Sequence, residues 1–382
     1  MAGKILFCAT VDYHFKAFHL PVMKWFKEQG WEVHVAAGGK LKLPFADQKF
    51  DIPIQRSPFK LKNIKAYNEL KRIIETNKYH LVHCHTPMGG VIGRLAAGGS
   101  RNDGTKVVYT AHGFHFCKGA PLRNWLMYYP MEKLLASMTD TLITINTEDY
   151  NLAKKKFGPQ GIEHVKGVGI NTELFRPIAK SEKLNLRRQH GLKAEHFVMF
   201  YAAEFNTNKN QQLLIHALAS IKDQLPNGKL LLAGEGVQLE SCQLLAKTLQ
   251  VSHMVDFLGY QQDVREILNI SDVAVASSLR EGLPVNVMEA MSCGLPIIAV
   301  KNRGHGELVI NNVNGWLAGN NPLEFGLKLL ELAGDPELRA AFGVKGRESI
   351  LNYYGINRVL EAQSIIYKRM IEQKEHVKWA VQ

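Results

Sequence analysis

Residues 272–300 constrain the fold of this chain more than any other stretch. The segment 272–278 is dense in small and β-branched residues and 295–300 is apolar, so each favours a buried strand. Between them, the run 285–293 has a helical pattern and ends at Gly294, a residue that commonly follows a helix. A strand, a turn, a helix and a second strand predict a βαβ unit, and therefore a parallel sheet.

The turn of this unit contains the first candidate site. Glu281 follows the first strand, at the end of the sheet where open α/β folds bind ligands. The backbone N–H groups of Gly282 and Leu283 and the helix start at Pro284 suit an anion. Glu289 lies eight residues after Glu281, so both carboxylates can face one crevice and accept hydrogen bonds from sugar or ribose hydroxyls. Taken alone, the two acids could equally be a helix-dipole contact and a solvated surface residue.

The same alternation runs through the chain twice. In the first half, strand patterns at 5–11, 33–37, 81–85, 106–110 and 141–146 are separated by helical patterns near 16–29, 63–77, 88–97, 121–137 and 148–157. After a polar stretch at 172–196, strand patterns return at 197–203, 229–233 and 255–258, with helical patterns at 210–223, 238–249 and 263–270. The tail from Pro322 is helical in three pieces. Two consecutive repeats predict an α/β protein with two Rossmann-like domains, 1–172 and 173–355, and a cleft between them as the default site.

Length and composition agree with two domains in a cytoplasmic protein. The 382 residues are too many for one compact core. No apolar run approaches the ~20 residues that span a bilayer, and the apolar segment near the N-terminus is too short for a signal peptide. The five cysteines form neither a metal-ligand pair nor a disulfide framework.

The positive charge is concentrated in the first half. Residues 1–172 contain 24 Lys and Arg against 13 Asp and Glu, whereas residues 173–382 contain 23 against 22. A basic half suggests an anionic partner such as nucleic acid, a membrane surface or a phosphorylated acceptor. Since no zinc-finger spacing or base-reading basic helix is present, we expect an anionic membrane surface or a diphosphate-linked lipid and no nucleic acid. A solubilising charge excess is the alternative.

The spacing of Glu281 and Glu289 around Gly-Leu-Pro resembles the E-x7-E motif of retaining glycosyltransferases of family GT4, which have the GT-B fold. The resemblance implies two Rossmann-like domains facing a central cleft, with the last helix, 356–382, crossing back to the first domain. It also implies transfer of a hexose or N-acetylhexosamine from a UDP-sugar, with retention of configuration.

Over much of the first half, including 19–30 and 109–121, the chain is similar to the bacterial exopolysaccharide and capsule branch of that family. This similarity implies a lipid-diphosphate-linked glycan as acceptor. It also implies a peripheral position at the inner face of the cell membrane.

The family resemblance assigns the donor site to the second half. Glu289 would hold the ribose hydroxyls, Lys209 and the loop amides the diphosphate, and Glu281 the sugar. The implied donor-binding residues are Lys209, Gly234, Leu258, Gly282, Leu283, Pro284 and Glu289. No Asp-x-Asp pair is present to chelate a metal, and the family holds its leaving group with helix N-termini and cations, so neither a metal nor a cofactor is expected.

One position departs from the family pattern. The family usually has an arginine five residues before the lysine, and here that residue is Glu204. Since an acid cannot bind a diphosphate directly, either Lys209 with another cation such as Arg280 or Arg303 suffices, or phosphate binding is weakened. Orientation of Lys209 by Glu204 is a further expectation.

The candidates of the first half are mostly histidines. His112 directly follows a strand, and the resemblance implies that it contacts the donor sugar, so that His112 and Glu281 are the catalytic candidates. The candidate acceptor contacts are His14, Lys16, His19, His85 and His115. Because they alternate along a strand, His83 and His85 are expected to face opposite sides and to be unable to share a metal.

Two other classes of function remain open. A nucleotide-sugar epimerase or a glycan phosphorylase also has two such domains, although neither accounts for the Glu281 and Glu289 spacing as well. A non-catalytic subunit that binds a UDP-sugar is favoured by Glu204. An epimerase would act without an acceptor, and a binding subunit would turn over no donor.

Overall fold

The structure, a computed structural model, describes residues 3–158 and 161–379. The chain forms two compact units. Unit 1 comprises the chain up to Gly169 and the chain from Ile356 onwards, and unit 2 is Ile170–Gly355. Each unit contains one parallel sheet covered by helices, which confirms the predicted fold class of two Rossmann-like units. None of the described helices combines the length and the apolar character needed to cross a bilayer.

Unit 1 has a seven-stranded parallel sheet. Its strands, hydrogen-bonded in the order β3-β2-β1-β4-β5-β6-β7, are β1 (Lys4–Val11), β2 (Glu32–Gly38), β3 (Gln48–Asp51), β4 (Leu81–Cys84), β5 (Lys106–Ala111), β6 (Thr141–Thr144) and β7 (Gly161–His164). Its helices are α1 (Tyr13–Phe18), α2 (Leu20–Glu28), α3 (Lys62–Asn77), α4 (Pro87–Ala97), α5 (Leu122–Ala136), α6 (Thr147–Lys156) and α15 (Ile356–Trp379).

Period-two alternation along the central strand builds the two cores of unit 1. Leu6 and Cys8 of β1 point into a core shared with α3 and α4. Phe7 points to the other face, where it meets Phe15 of α1, Phe26 of α2 and residues of α15. Strands buried on both faces explain why β1, β4 and β5 are nearly continuous apolar runs in the sequence.

Unit 2 has a six-stranded parallel sheet in the order β10-β9-β8-β11-β12-β13. The strands are β8 (Phe197–Ala202), β9 (Gly228–Ala233), β10 (Val255–Gly259), β11 (Val273–Ala276), β12 (Ile297–Val300) and β13 (Gly315–Ala318). The helices are α7 (Lys180–Gln189), α8 (Gln211–Ile221), α9 (Leu239–Thr248), α10 (Arg265–Ile270), α11 (Val285–Ser292), α12 (Arg303–Leu308), α13 (Pro322–Gly334) and α14 (Pro336–Ser349).

The structure adds elements that the sequence patterns did not predict. The strands β3 and β7 are edge strands of four partly exposed, largely polar residues, so they lack the apolar pattern of a buried strand. The polar stretch 172–196 contains α7, which is held by a long-range contact: Arg187 donates a 2.6 Å hydrogen bond to Asp272. The strand β13 and the short helix α12 were also missed.

The single helix predicted near 16–29 is two helices. α1 ends at Phe18 and α2 begins at Leu20, with His19 between them. Pro21 lies in the first turn of α2, where its missing N–H and fixed φ suit a helix start. The break therefore places a buried histidine at the junction of two helices.

Candidate functional site

The loops after β8 and β11 meet in unit 2, because β8 and β11 are neighbours in the sheet. The strand order reverses at this pair, and at such a point an open α/β sheet forms a crevice beyond the carboxyl ends of its strands. The amide of Leu279 donates to the carbonyl of Asn208 at 2.8 Å, and the Asn208 side chain donates to the carbonyl of Arg280 at 3.0 Å. The Ser277 hydroxyl donates to the carbonyl of Lys209 at 2.7 Å. These hydrogen bonds fix one loop against the other.

Lys209 and Glu281 form an ion pair across these loops. The Lys209 Nζ lies 2.5 Å from Glu281 Oε1, and the two side chains are 24% and 15% exposed. Glu204 is exposed, and the carboxylate partner of Lys209 is Glu281, so the expectation that Glu204 orients this lysine is wrong. A cation and a carboxylate are thus held together at the carboxyl end of the sheet.

The backbone of Glu281 is supported by α12, a role that the sequence pattern did not predict. Arg303 Nε donates to the Glu281 carbonyl at 3.1 Å. A Cβ on Gly304 would lie 2.7 Å from the Glu281 Cβ, so only glycine permits this close approach. Asn302 caps α12 and donates to the carbonyl of Ser278 at 2.8 Å. The Arg-Gly-x-Gly run at 303–306 is the signal that could have indicated this support.

The turn that follows Glu281 leads directly into α11. Within the described part of the chain, the amides of Gly282 and Leu283 donate no hydrogen bond to another residue. Pro284 stands at the N-cap of α11 without a side-chain cap. Amides and a helix start in this arrangement can bind an anionic oxygen.

Glu289 lies on α11 and lines a narrow cavity together with Tyr201 and Ala202 of β8 and with Val264. Burial raises the pKa of Glu289 to about 7, and the negative charge of Asp263 adds to the effect. Hydrogen-bond donors such as ribose hydroxyls would favour the ionised form of this carboxyl group.

Gly234 directly follows β9, and Leu258 lies in the neighbouring strand β10. Gly234 has φ +139°, and a Cβ there would lie 2.0 Å from the carbonyl oxygen of Ala203, so the turn packs directly on the loop after β8. Leu258 lies at an irregularity in the pairing of β10 with β9, and its carbonyl accepts a 2.6 Å hydrogen bond from the Gln261 side chain. Gly234 therefore borders the loop that carries Lys209.

Four histidines cluster in unit 1 at the carboxyl ends of β1, β4 and β5. His14 lies on α1, His19 between α1 and α2, His85 after β4 and His112 after β5. One ring nitrogen from each of the four lies within 4.8 Å of the others. The Nε2 atoms of His14 and His19 are 3.0 Å apart, and His85 Nδ1 lies 3.4 Å from His112 Nε2.

The expectation that His83 and His85 face opposite sides is wrong. Their ring centroids are 4.0 Å apart, because residues two apart on a strand share a face. His83 is buried, and its ring nitrogens bond the Thr110 hydroxyl and the Tyr367 hydroxyl, each at 2.8 Å. His83 is thus engaged on both sides, whereas the buried His85 Nε2 has no hydrogen-bond partner among the described residues.

The two remaining candidates of the first half lie outside the cluster. Lys16 and His115 are exposed. His115 packs instead on the ring of Tyr128 of α5, with a centroid separation of 4.8 Å. Asp12, just before α1, is held by Lys49 at 2.9 Å and by the amide of Leu41 at 2.8 Å, so it positions the loop.

Burial keeps the clustered histidines neutral. It lowers the pKa of His14 to about 3 and that of His112 to about 4, and in His14 the neighbouring histidines contribute as well. The pKa values of His19 and His85 are lowered for the same reasons. At neutral pH each ring therefore keeps one unprotonated nitrogen.

Comparisons with known proteins agree with this architecture. The family model "Glycosyl transferases group 1" matches residues 182–349, and "Glycosyl transferase 4-like" matches residues 4–146. EpsD of Bacillus subtilis (strain 168), which is named as a glycosyltransferase, is 50% identical over 97% of this chain and 98% of its own length.

A second relative is more distant. The UDP-Gal:alpha-D-GlcNAc-diphosphoundecaprenol alpha-1,3-galactosyltransferase of Escherichia coli is 28% identical over 82% of this chain and 81% of its own. Among solved structures, Anabaena Alr3699/HepE in complex with UDP and glucose superposes with a TM-score of 0.80 at 19% identity, covering 96% of this chain and 100% of that one.

The neutral histidines predict a stability loss in mild acid. A histidine whose pKa is lowered in the folded state binds a proton more readily in the unfolded chain. Its contribution to the stability of the folded state is therefore complete above pH ~6.5 and is lost as the pH falls. Urea unfolding, measured in the presence of a chelator, should show that the free energy of unfolding of unit 1 falls as the pH is lowered from 6.5 to 5. The fall should exceed about 1.4 kcal/mol per pH unit, which is the slope for the uptake of one proton. The raised pKa of Glu289 acts in the opposite direction, but through one group in unit 2.

Replacement of the half-buried His14 by Gln should reduce this slope. The same change at the exposed His216 should leave it unaltered. A flat profile for the wild-type protein between pH 6.5 and 5 would contradict the neutral cluster.

Proposed function

The chain belongs to the group 1 glycosyltransferases, and we propose that it transfers a hexose or N-acetylhexosamine from a UDP-sugar to a lipid-diphosphate-linked glycan in exopolysaccharide synthesis. The observation that carries the proposal is the joined loops of unit 2, which hold Lys209, Glu281 and two unengaged amides together. A cation and amides suit the diphosphate of the donor, and the carboxylate suits a sugar hydroxyl. The solved relative that binds UDP supports the choice of nucleotide.

The proposed chemistry is departure of UDP from the donor sugar. Negative charge develops on the diphosphate as the glycosidic bond breaks, and Lys209 with the amides of Gly282 and Leu283 would stabilise it. Preorganised donors of this kind are each typically worth ~2.7–4 kcal/mol. We propose that no metal takes part in holding the leaving group, and that configuration is retained as in related enzymes.

The proposed acceptor lipid has a matching surface in unit 1. An apolar groove of about 400 Å³ runs between α3, α4 and α5. The side chains that line it include Phe59, Leu61, Ile64, Leu95, Met127 and Met131. Phe59 and Leu61 are 81% and 80% exposed, which is unusual for large apolar residues on a folded protein.

The groove continues into an apolar, basic face of α5. Leu122, Leu126 and Leu134 are exposed along this helix, and Arg123 and Lys133 are exposed beside them. Apolar side chains flanked by cations suit the headgroup region of an anionic bilayer. The E. coli relative, whose name specifies a diphosphoundecaprenol acceptor, supports a lipid-linked substrate.

A non-catalytic UDP-sugar-binding subunit is the second candidate function. The observation that favours it is Glu204, which is exposed in the position where the family usually has a cation. Such a subunit would bind UDP and leave every donor intact, whereas an epimerase would convert a UDP-sugar without an acceptor.

The donor site predicts a proton-linked affinity for UDP. Since ribose hydroxyls donate to ionised Glu289, whose pKa is about 7, affinity should rise with pH up to about 7 and level off above it. Glu289→Gln should weaken UDP binding about 10- to 100-fold, as expected for hydrogen bonds to a charged group. Calorimetry from pH 6 to 8 in wild type and variant would separate Glu289 from the titration of the nucleotide phosphate.

Glu348→Gln, an exposed change in the same unit, is the matched control and should bind UDP normally. Chelator should not alter UDP binding. Equal affinities in wild type and Glu289→Gln would place the ribose elsewhere.

Transfer should depend on one residue from each unit. The rate of UDP release from UDP-sugars should be measured with a lipid-diphosphate-linked acceptor present. This rate should fall at least about 100-fold in Glu281→Gln and in His112→Ala, because each substitution removes one contact to the transition state. His112→Ala should still bind UDP, because Lys209 and Glu289 are unchanged. His216→Ala should retain activity. UDP binding without turnover of any donor by the wild type would establish the non-catalytic alternative.

The groove predicts binding to anionic membranes. Arg123→Glu and Lys133→Glu should each lower binding to vesicles containing anionic lipid by at least roughly fivefold. Each cation near an anionic membrane surface contributes about 1 kcal/mol of attraction, which the substitution removes. Leu126→Asp should lower binding to anionic and neutral vesicles alike. Lys247→Glu and Leu244→Asp, exposed on α9 of unit 2, are matched controls. Unchanged vesicle binding by the α5 variants would refute this surface.

A further inference from the structure

The four-histidine cluster of unit 1 has the composition of a transition-metal site. It contains His14, His19, His85 and His112, and no carboxylate belongs to it. A set of imidazoles alone is typical of transition-metal coordination. From this geometry we propose that His14, His19, His85 and His112 form a binding site for a zinc-class divalent ion.

Distances within the cluster are close to those that a bound zinc ion requires. Zinc–nitrogen bonds of ~2.0–2.1 Å place the ligands of a tetrahedral ion roughly 3.3–3.4 Å apart. The His14 and His19 nitrogens are 3.0 Å apart and the His85 and His112 nitrogens 3.4 Å apart. All four ligand nitrogens lie within 4.8 Å of one another, so binding of a tetrahedral ion would draw the widest pair about 1.4 Å closer.

His85 packs against all three other rings of the site. Its centroid lies 4.0 Å from that of His19 and 5.6 Å from those of His14 and His112. The His85 amide donates to the carbonyl of Cys8 at 2.7 Å. The following residue, Thr86, has φ +60°, a strained value for a β-branched residue, and its hydroxyl bonds Thr10 at 2.8 Å. The backbone thus fixes His85 where the other three rings converge.

Hydrogen bonds satisfy only one side of the His85 ring. Its Nδ1 faces His112 Nε2 at 3.4 Å, whereas its Nε2 is fully buried and lacks a partner among the described residues. All-nitrogen ligation favours Zn²⁺ and excludes Mg²⁺ and Ca²⁺, which prefer oxygen ligands.

Occupation of the site would affect transfer through His112. This consequence rests on the proposed function, in which His112 contacts the donor sugar, whereas the metal site itself does not. An ion bound to the His112 ring would occupy its lone pair and fix the orientation of the side chain. Zinc is therefore expected to inhibit transfer reversibly, as a regulatory ion.

Direct binding of zinc to the full chain tests the site independently of activity. Protein stripped with chelator and dialysed should bind one Zn²⁺ in competition with a chromophoric chelator, and Co²⁺ should give the intense visible bands of a four-coordinate ion. His14→Ala and His19→Ala should each weaken zinc binding at least tenfold, whereas His216→Ala, exposed in unit 2, should not. Circular dichroism and UDP binding would verify that the variants are folded.

Equal zinc affinity in the wild type and both cluster variants would overturn the site, as would cobalt spectra of a six-coordinate ion. If His19→Ala fails to fold, the partly exposed His14→Ala and His112→Ala variants decide the question. Zinc should also lower the transfer rate of the wild type at least tenfold, with recovery in chelator. Stoichiometric zinc binding without inhibition would leave the metal site in place and overturn only the link to His112.

Discussion

Parallel pairing of neighbouring strands is the constraint on which every candidate functional residue depends. Because β8 pairs with β11, the loops that follow them emerge side by side and bring Lys209 to Glu281 across 72 residues of sequence. In unit 1, the pairing of β1 with β4 and of β4 with β5 brings the histidines together in the same way. The chemistry differs between the units, but the same edge of each sheet supplies it.

The two sites differ in how they treat charge. In unit 2 the charge of Lys209 is neutralised by its ion pair with Glu281. Arg303 and Gly304 of α12 hold the backbone that carries this carboxylate. In unit 1 the histidine rings carry no charge, because burial keeps them neutral. A compensated polar site suits an anionic nucleotide, whereas neutral imidazoles suit hydroxyl groups or a metal ion.

The sequence predicted the buried strands of both sheets because burial on two faces leaves a continuous apolar pattern. It failed where stability comes from distant partners. The helix α7 is polar and depends on Arg187 meeting Asp272, and β3 and β7 are polar edge strands. Glu281 and Glu289 could be selected from their spacing, but the support of Glu281 by α12 is a tertiary contact, and the Arg-Gly-x-Gly run at 303–306 does not reveal which residue it supports. His83 and His85 lie on one face because side chains two residues apart on a strand point the same way.

The ion pair between Lys209 and Glu281 bears on how quickly a spent nucleotide can leave. Since Lys209 already has a carboxylate partner, a diphosphate gains only the difference between two ion pairs when it engages this cation. Under the proposed function, departure of the nucleotide would return the lysine to Glu281, so that no unpaired, partly buried charge would be left. This exchange would give moderate affinity and fast product release, which favours repeated turnover over tight retention of UDP.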